Sequence, residues 1–308
     1  MPKIGFLFPG QASQKVGMGR GFFEDSSFAQ DAFSQADEIL GFKISQICFE
    51  GPEEELKLTT NTQPALLIVS YIASSLLGIT PELAAGHSLG EYSALVSAGA
   101  LSFSDAVGLV HRRGQYMQEA VPVGVGAMAA ILGADYDDVE NGIKSVKEGV
   151  VEIANWNSRD QIVIAGHKEA VEEAVSVLAA PRTVMLPVSA PFHCQLMQRA
   201  AEKLSYDLDY IEFRDLKYPI VTNVDAQIIR TGEQARDALK RQVSHSVQWY
   251  TSMGVFAEER IAATVELGSG NVLSGLMKRI SRSWAERPQI LNVADPGTLS
   301  RTQEVLGI

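Results

Sequence analysis

The 308-residue sequence has few cysteines and a deficit of basic residues. Cys48 and Cys194 are its only cysteines, too few for a disulfide framework, so a reducing compartment such as the cytoplasm is expected. Lysine and arginine total 26 against 37 aspartate and glutamate, which gives a formal net charge of −11. Binding to a nucleic-acid backbone needs clustered Lys and Arg. Because no long basic run is present, nucleic acid is excluded as the main partner.

Long apolar runs are also absent. The longest covers residues 65–72 and is interrupted by Ser70 and Tyr71, whereas a membrane-spanning helix needs about 20 apolar residues. The chain starts with a strand-like segment at 3–8, so no signal peptide is expected. These features predict a cytoplasmic protein with no membrane partner. The length allows one large α/β domain, or a core domain that carries an inserted one.

The segment 86–92, Gly-His-Ser-Leu-Gly-Glu-Tyr, contains the pattern G-x-S-x-G. In a nucleophile elbow the chain leaves a strand, turns sharply and enters a helix, which exposes the serine, here Ser88. The flanking glycines leave room for that turn, and the amide after the serine points to where an oxyanion would form. At average Gly and Ser usage the pattern occurs by chance in about one chain in ten of this length. An ordinary serine in a glycine-flanked turn is therefore the alternative.

An arginine lies on an otherwise apolar helix face. The sequence predicts a helix from 104 to about 121, and one stripe of that helix, at steps of four and three residues, is apolar except for Arg113. Because an unpaired buried charge is very costly, Arg113 needs an anionic partner. A structural salt bridge or a side chain that extends to solvent is the alternative. The other members of the stripe are Ala106, Val110, Met117 and Ala120.

The pattern changes near residue 124. Strands are predicted at 126–132, 150–154, 161–165 and 183–188, and helices at 136–146 and 169–178. The order β-α-β-β-α-β is the ferredoxin-like arrangement. We interpret 124–189 as a subdomain inserted into a catalytic core formed by 1–123 and 190–308.

The core itself is predicted to alternate strands and helices. A buried helix is expected at 65–77 with Pro64 in its first turn, where a missing N–H costs nothing. Ala84 and Ala85 ahead of the elbow are a weak strand signal, accepted only because an elbow needs a strand there. Further strands are predicted at 218–223, 263–267 and 289–293, and further helices at 196–204, 233–243, 249–259 and 271–283.

Together these segments resemble the malonyl-CoA:acyl carrier protein transacylases along nearly the whole chain. A single motif of this kind is weak evidence for a family, but several motifs in the family's order are strong evidence. The matching blocks are 8–14 with Gly17-Met18, 62–66, 86–95, Arg113-Gly114 with Met117-Gln118, 126–131, and Pro191-Phe192-His193.

The resemblance implies an α/β fold with an α/β-hydrolase-like core and a ferredoxin-like insertion. It also implies that Ser88 is the nucleophile and His193, in a proline-containing loop, its general base. The backbone amides of Gln11 and Leu89 would form the oxyanion hole, and the main-chain carbonyl of Gln242 would orient the imidazole. From residue type alone, a lone loop histidine is more often a surface or packing residue.

The substrates follow from the same resemblance. Arg113 would bind the free carboxylate of the malonyl group, and Met117, Gln63 and Asn155 would lie near it, although Asn155 could equally cap a turn. Phe192 resembles the malonyl-selecting form of its loop, and core packing is its alternative. The expected partners are malonyl-CoA and phosphopantetheinylated acyl carrier protein, with no metal and no cofactor besides the coenzyme A thioester as substrate.

Two other functions share part of this residue set. A trans-acting malonyltransferase of a polyketide pathway is hardly separable by sequence from the fatty-acid enzyme. A serine esterase or acyl hydrolase would share Ser88 and His193 but has no use for a cation at 113.

The surface that binds the carrier protein is less well indicated. Because the acyl carrier proteins are acidic, a local basic patch at Lys278, Arg279 and Arg282 is a candidate, with a solvated helix face as the alternative. Departures from the family's usual residues affect carrier docking more than the chemistry; they are Ser246, Gln248, Ser269 and Asn271.

Overall fold

The structure is a computed structural model and describes residues 2–188 and 190–308. Its strands are β1 (Ile4–Phe8), β2 (Leu83–Gly86), β3 (Gly126–Leu132), β4 (Val151–Ser158), β5 (Gln161–His167), β6 (Arg182–Met185), β7 (Ile220–Val221), β8 (Ile228–Ile229), β9 (Ala263–Leu267) and β10 (Gln289–Val293). Its helices are α1 (Arg20–Asp25), α2 (Ser27–Leu40), α3 (Ile44–Glu50), α4 (Glu53–Lys57), α5 (Thr59–Leu77), α6 (Leu89–Ser97), α7 (Phe103–Glu119), α8 (Tyr136–Lys144), α9 (Lys168–Val177), α10 (Gln198–Asp209), α11 (Gly232–Gln242), α12 (Trp249–Glu258), α13 (Val272–Ile280) and α14 (Pro296–Leu306).

The larger sheet has six strands in the order β10-β9-β1-β2-β7-β8. Pairing is parallel from β10 to β7, and only β7 and β8 pair antiparallel. Strands of parallel sheets are buried on both faces, and this explains the weak signal at β2. Ala84 packs into the core on one face of the sheet and Ala85 into the core on the other. The predicted strand ahead of the elbow is present.

The smaller sheet is antiparallel, in the order β4-β5-β3-β6. Successive side chains of β3 point to opposite faces: Ala129 and Ile131 pack with helices α8 and α9, while Met128 packs into the main core. The element order β3-α8-β4-β5-α9-β6 agrees with the predicted order, and the predicted α/β class is confirmed. The boundaries at 124 and 189 stay predictions, and Ser189 lies outside the described residues.

Helix α5 begins at Thr59, so the prediction that Pro64 lies in its first turn is wrong. Pro64 has no N–H to donate to the carbonyl of Thr60, four residues earlier. His111 on α7 supplies the missing donor, since its Nδ1 lies 2.9 Å from that oxygen. The helix therefore continues through the proline because a neighbouring helix replaces the lost hydrogen bond.

Several elements were not predicted, namely α1 to α4, β8 and α14. The four early helices lie between residues 20 and 57 and are short or amphipathic, and β8 has only two residues. None of the helices in the described part of the chain is long and apolar enough to cross a bilayer.

The turn between β2 and α6 passes so close to β1 that only glycine fits. A Cβ on Gly90 would lie 2.0 Å from the carbonyl oxygen of Phe8, and one on Gly86 would lie 1.9 Å from the carbonyl carbon of Gly90. Both contacts are with backbone, which cannot move aside as a flexible side chain could. The two glycines thus allow the elbow to sit against the end of β1.

Gly90→Ala is expected to lower the free energy of unfolding by about 1–3 kcal/mol or more, because the added methyl overpacks a backbone contact. Gly254→Ala is the matched control, since Gly254 lies within α12 and a Cβ there meets nothing within 4 Å. That control is expected to gain about 0.5–1 kcal/mol from the better helix propensity of alanine. Urea unfolding of both variants measures the difference, and equal stability of the two would refute the close approach.

Candidate active site

Ser88 lies at the carboxyl end of β2, directly before α6, with φ 51° and ψ −108°. Positive φ in a residue other than glycine is strained and tends to occur at functional sites. Two side chains hold the strained turn. The Asn223 side chain, from the loop after β7, accepts from the Ser88 amide at 2.7 Å and donates to the Gly86 carbonyl at 2.6 Å. Gln242 Nε2 donates to the Ser88 carbonyl at 2.8 Å.

The Ser88 hydroxyl faces His193, with 2.7 Å between Oγ and Nε2. The Nδ1 atom of His193 lies 2.9 Å from the carbonyl oxygen of Gln242. A carbonyl can only accept, so Nδ1 carries the proton and Nε2 is left as the acceptor for the serine proton. Burial, assisted by the positive charge of Arg113, lowers the pKa of His193 to about 3. The imidazole is therefore neutral near pH 7.

Arg113 is 1% exposed and has only uncharged hydrogen-bond partners. Its terminal nitrogens donate to Gln63 Oε1 at 2.8 Å, to Gln242 Oε1 at 2.9 Å and to Ser88 Oγ at 3.2 Å. Its guanidinium carbon lies 5.2 Å from the ring centroid of Tyr92, and its Nε finds no hydrogen-bond partner in the described part of the chain. Burial lowers the pKa of the guanidinium. In the described residues no carboxylate forms an ion pair with Arg113, which removes the structural salt bridge as an explanation of the apolar stripe.

A cavity of about 140 Å³ joins these groups. The structure brings together in it every predicted site residue except Gln63 and Gln242, which contact Arg113 without lining the cavity. The predicted residues in its wall are Gln11, Ser88, Leu89, Arg113, Met117, Asn155, Phe192 and His193.

Two backbone amides at this cavity are available as donors. Leu89 is the first residue of α6, and the first N–H groups of a helix have no intrahelical acceptor. The Gln11 side chain is held by Thr59, with 3.4 Å between Nε2 and Oγ1. Among residues 2–188 and 190–308 neither the Gln11 backbone amide nor the Leu89 backbone amide has a hydrogen-bond acceptor. Both can stabilise a developing oxyanion, and the positive end of the α6 dipole adds to this effect.

A larger cavity of about 430 Å³ adjoins the first one and lies between the smaller sheet and α13. The two cavities share Gln11, His87 and Asn155 in their walls. At the far end Arg279 donates to Gln161 Oε1 at 3.0 Å. The larger cavity therefore extends from the wall of the Ser88 cavity to Arg279 on α13.

The four departures from the family pattern occupy different environments. Ser269 is fully buried and donates to the Ser13 carbonyl at 2.8 Å, so it positions the loop after β1 and cannot contact a carrier protein directly. Asn271 is exposed and precedes α13. The Gln248 carbonyl accepts from the Ser252 hydroxyl, and the Ser246 hydroxyl has no hydrogen-bond partner within residues 2–188 and 190–308.

Sequence reasoning missed three residues that hold the site. Asn223 follows β7, which pairs with β2. The carboxyl ends of adjacent parallel strands meet at one edge of the sheet. The position of Asn223 after a strand could therefore have indicated that it lies near Ser88. His87 Nε2 lies 2.8 Å from Asn157 Oδ1, which ties the elbow to β4. Glu91, on α6, accepts a hydrogen bond from the side-chain amide of Gln242.

No group of three or more His, Cys, Asp or Glu suited to a metal ion occurs in the described chain.

Comparisons with known proteins agree with this geometry. Residues 5–293 match the family model described as an acyl transferase domain. The malonyl CoA-acyl carrier protein transacylase of Bacillus subtilis (strain 168) is 44% identical over 314 residues, which covers 99% of this chain and 98% of that protein.

Solved structures agree as well. The malonyl CoA-acyl carrier protein transacylase of Coxiella burnetii superposes with a TM-score of 0.94 at 40% identity, covering 99% of this chain and 98% of that one. A malonyl-transacylase in complex with its type II polyketide-synthase acyl carrier protein also gives a TM-score of 0.94 at 40% identity, covering 98% and 99%. The chain therefore belongs to the acyl transferase family and, within it, to the malonyl-CoA:acyl carrier protein transacylases.

Proposed function

We propose that this protein moves the malonyl group from malonyl-CoA to the phosphopantetheine thiol of an acyl carrier protein of fatty-acid synthesis. The observation that carries the proposal is one small cavity in which a serine paired with histidine faces a buried guanidinium without an anionic partner. A thioester carbonyl and a free carboxylate are the two ends of a malonyl group. The cavity therefore offers a complementary group to each end.

The first half-reaction forms an O-malonyl ester on Ser88. The Oγ atom attacks the thioester carbonyl while His193 Nε2 accepts the hydroxyl proton, at the 2.7 Å separation already present. The amides of Gln11 and Leu89 stabilise the oxyanion. When the carbon–sulfur bond breaks, the proton passes from His193 to the coenzyme A sulfur, and the thiol leaves.

The second half-reaction is the reverse. The carrier's phosphopantetheine thiol gives its proton to His193, its sulfur attacks the ester, and the proton returns to Ser88 Oγ. The imidazole remains a competent base because the Gln242 carbonyl fixes its tautomer. The resulting kinetics are ping-pong.

Arg113 selects the malonyl group. Gln63 and Gln242 hold the guanidinium in place, and its Nε is free to donate to a carboxylate oxygen. Charge-assisted pairs of this kind are strong and directional. Met117 and Phe192 supply the apolar wall that keeps water from the pair.

The larger cavity suits the pantetheine arm shared by coenzyme A and the carrier. It extends from Gln11, His87 and Asn155, which also line the cavity at Ser88, to α13; Lys278 and Arg279 of α13 are exposed, and so is Arg282 just after it. These cations would meet an acidic carrier protein although both proteins are acidic overall.

A location in the cytoplasm is supported by the free thiols of Cys48 and Cys194.

The proposal is tested by loading the protein with malonyl-CoA and then adding carrier proteins. Covalent malonyl is expected on Ser88 and is lost in Ser88→Ala, whereas Ser93→Ala, on the same helix with an unpartnered hydroxyl, keeps it. Intact-protein mass spectrometry measures the label. Label retained in Ser88→Ala would refute the intermediate.

The same loaded protein separates the two candidate carriers. A polyketide carrier is the second candidate because a 40% identical malonyl-transacylase was solved with one. Faster transfer is expected to a fatty-acid carrier protein, and faster transfer to a polyketide carrier would contradict the pathway. Release of free malonate without either carrier would favour a hydrolase.

Arg113→Ala is expected to lower the preference for malonyl-CoA over acetyl-CoA by roughly 10- to 100-fold, the effect of losing a charged hydrogen bond. Arg112→Ala is the matched control, because Arg112 is adjacent on α7 and pairs with Asp207 instead, at 2.8 Å. The ratio of kcat/KM for the two thioesters measures the preference. An unchanged ratio in Arg113→Ala would exclude the carboxylate role.

The pH profile tests the state of His193. Since burial and Arg113 lower its pKa from 6.5 to about 3, the imidazole stays neutral as the pH falls, and kcat/KM is expected not to decline between pH ~7 and ~5.5. Initial rates in constant-ionic-strength buffers provide the profile. A decline with an apparent pKa near 6.5 would show an ordinary, solvated histidine.

A further inference from the structure

Glu91 is a buried carboxylate that the mechanism above does not use. It lies on α6, one turn after Ser88, and is 0% exposed. Its Oε2 accepts from Gln242 Nε2 at 2.8 Å and from the Asn223 amide at 3.2 Å. Its Oε1 has no hydrogen-bond partner among the residues that the structure describes. An ionised oxygen buried without a donor is costly, so this atom is a natural place for a proton.

Glu91 is connected to Arg113 through a single amide group. Arg113 donates to Gln242 Oε1 at 2.9 Å, and Gln242 Nε2 donates to Glu91 Oε2 at 2.8 Å. The amide cannot be turned round, because the other neighbours of Nε2 are also oxygens, the Ser88 carbonyl at 2.8 Å and Asn223 Oδ1 at 3.3 Å. Gln242 is therefore polarised between a cation on one side and an anion on the other.

Few other charges act on Glu91. Helix α6 packs against α5, α7, β1 and β2, and of these four elements only α7 contains acidic or basic residues. The cation is Arg113 on α7, and the other anion is Asp225 after β7, which pairs with Arg241 of α11 at 2.7 Å. Tyr92 on α6 is kept neutral because burial raises its pKa to about 12.

The balance of burial against these contacts decides the protonation of Glu91. Burial raises its pKa to about 7, although the hydrogen bonds from Gln242 and Asn223 and the charge of Arg113 oppose the rise. A malonyl carboxylate bound to Arg113 would add a negative charge to the same pocket and raise the pKa of Glu91 further.

We propose that Glu91 is a charge-balancing residue for malonyl selection: in the empty site it is the negative charge connected to Arg113 through the Gln242 side chain, and it takes up a proton when the malonyl carboxylate binds. The inference rests on the function proposed above. The proton comes from the solvent, the new O–H bond forms at Oε1, and no other covalent bond changes. The malonyl carboxylate becomes the direct anionic partner of Arg113 while Glu91 becomes neutral, so the buried site keeps a single negative charge.

The sign of the pH dependence follows from linkage. Above pH ~7 the empty site is ionised at Glu91 and malonyl binding takes up as much as about one proton, so malonyl affinity falls by up to about tenfold per pH unit. Below pH ~6 Glu91 already carries its proton in the empty protein, and uptake disappears. Acetyl-CoA has no free carboxylate, so its affinity should lack this dependence.

Isothermal titration of Ser88→Ala protein, which cannot be acylated, measures the proton directly. At pH ~8, in phosphate and in Tris, the dependence of the binding heat on the ionisation enthalpy of the buffer should show an uptake of about 0.5–1 proton for malonyl-CoA and none for acetyl-CoA. Adding Glu91→Gln, which resembles the protonated side chain, should abolish the uptake. It should also make the ratio of malonyl-CoA to acetyl-CoA affinity independent of pH between ~6 and ~9.

A purely structural role for Glu91 would weaken both ligands together and leave the pH dependence of their ratio unchanged. Absence of proton uptake in the protein that retains Glu91 overturns the inference, and so does the same uptake in the Glu91→Gln protein. The first of these results needs no Glu91 variant and stands even if that variant fails to fold. Failure of the proposed function is distinguishable, because the protein with Ser88 would then not be labelled by malonyl-CoA.

Discussion

Gln242 is a fully buried residue whose main chain and side chain hold different parts of the site at the same time. Its carbonyl accepts from His193, and its side-chain oxygen accepts from Arg113. Its amide nitrogen donates to the Ser88 carbonyl and to Glu91. Since the base, the cation and the strained nucleophile turn all contact this one residue, a shift of α11 would disturb attack and substrate recognition together.

The parallel sheet supplies the second constraint. Strands β1, β2 and β7 are neighbours, and their carboxyl ends deliver Gln11, Ser88 and Asn223 to one edge. The smaller sheet forms another side of the site, because Asn155 of β4 lies in the cavity wall and Asn157 of β4 contacts His87. Backbone strain at Ser88 is maintained by contacts from distant parts of the chain, which is the usual way strain persists in a folded protein.

How far the sequence predicted this site depended on the range of each signal. Ser88 and Leu89 belong to one local motif, and Arg113 was marked by a charge on an apolar helical stripe, so local spacing was sufficient for them. His193 lies 105 residues from Ser88, and its role was implied only by family resemblance. Asn223 and Glu91 were missed because their partners come from other elements, although Glu91 lies within the 86–92 motif and Asn223 at the end of a predicted strand. The prediction that Pro64 lies in the first turn of its helix was wrong for the same reason, since the compensating donor, His111, is 51 residues away from Thr60.

The central claim is that the buried guanidinium receives the malonyl carboxylate beside the acylated serine. A crystal structure of the protein acylated at Ser88 tests it most directly. The account predicts a carboxylate oxygen about 2.7–2.9 Å from a nitrogen of Arg113, with the contact between His193 and the Gln242 carbonyl preserved. A carboxylate turned toward solvent, with no hydrogen bond to Arg113, would contradict it.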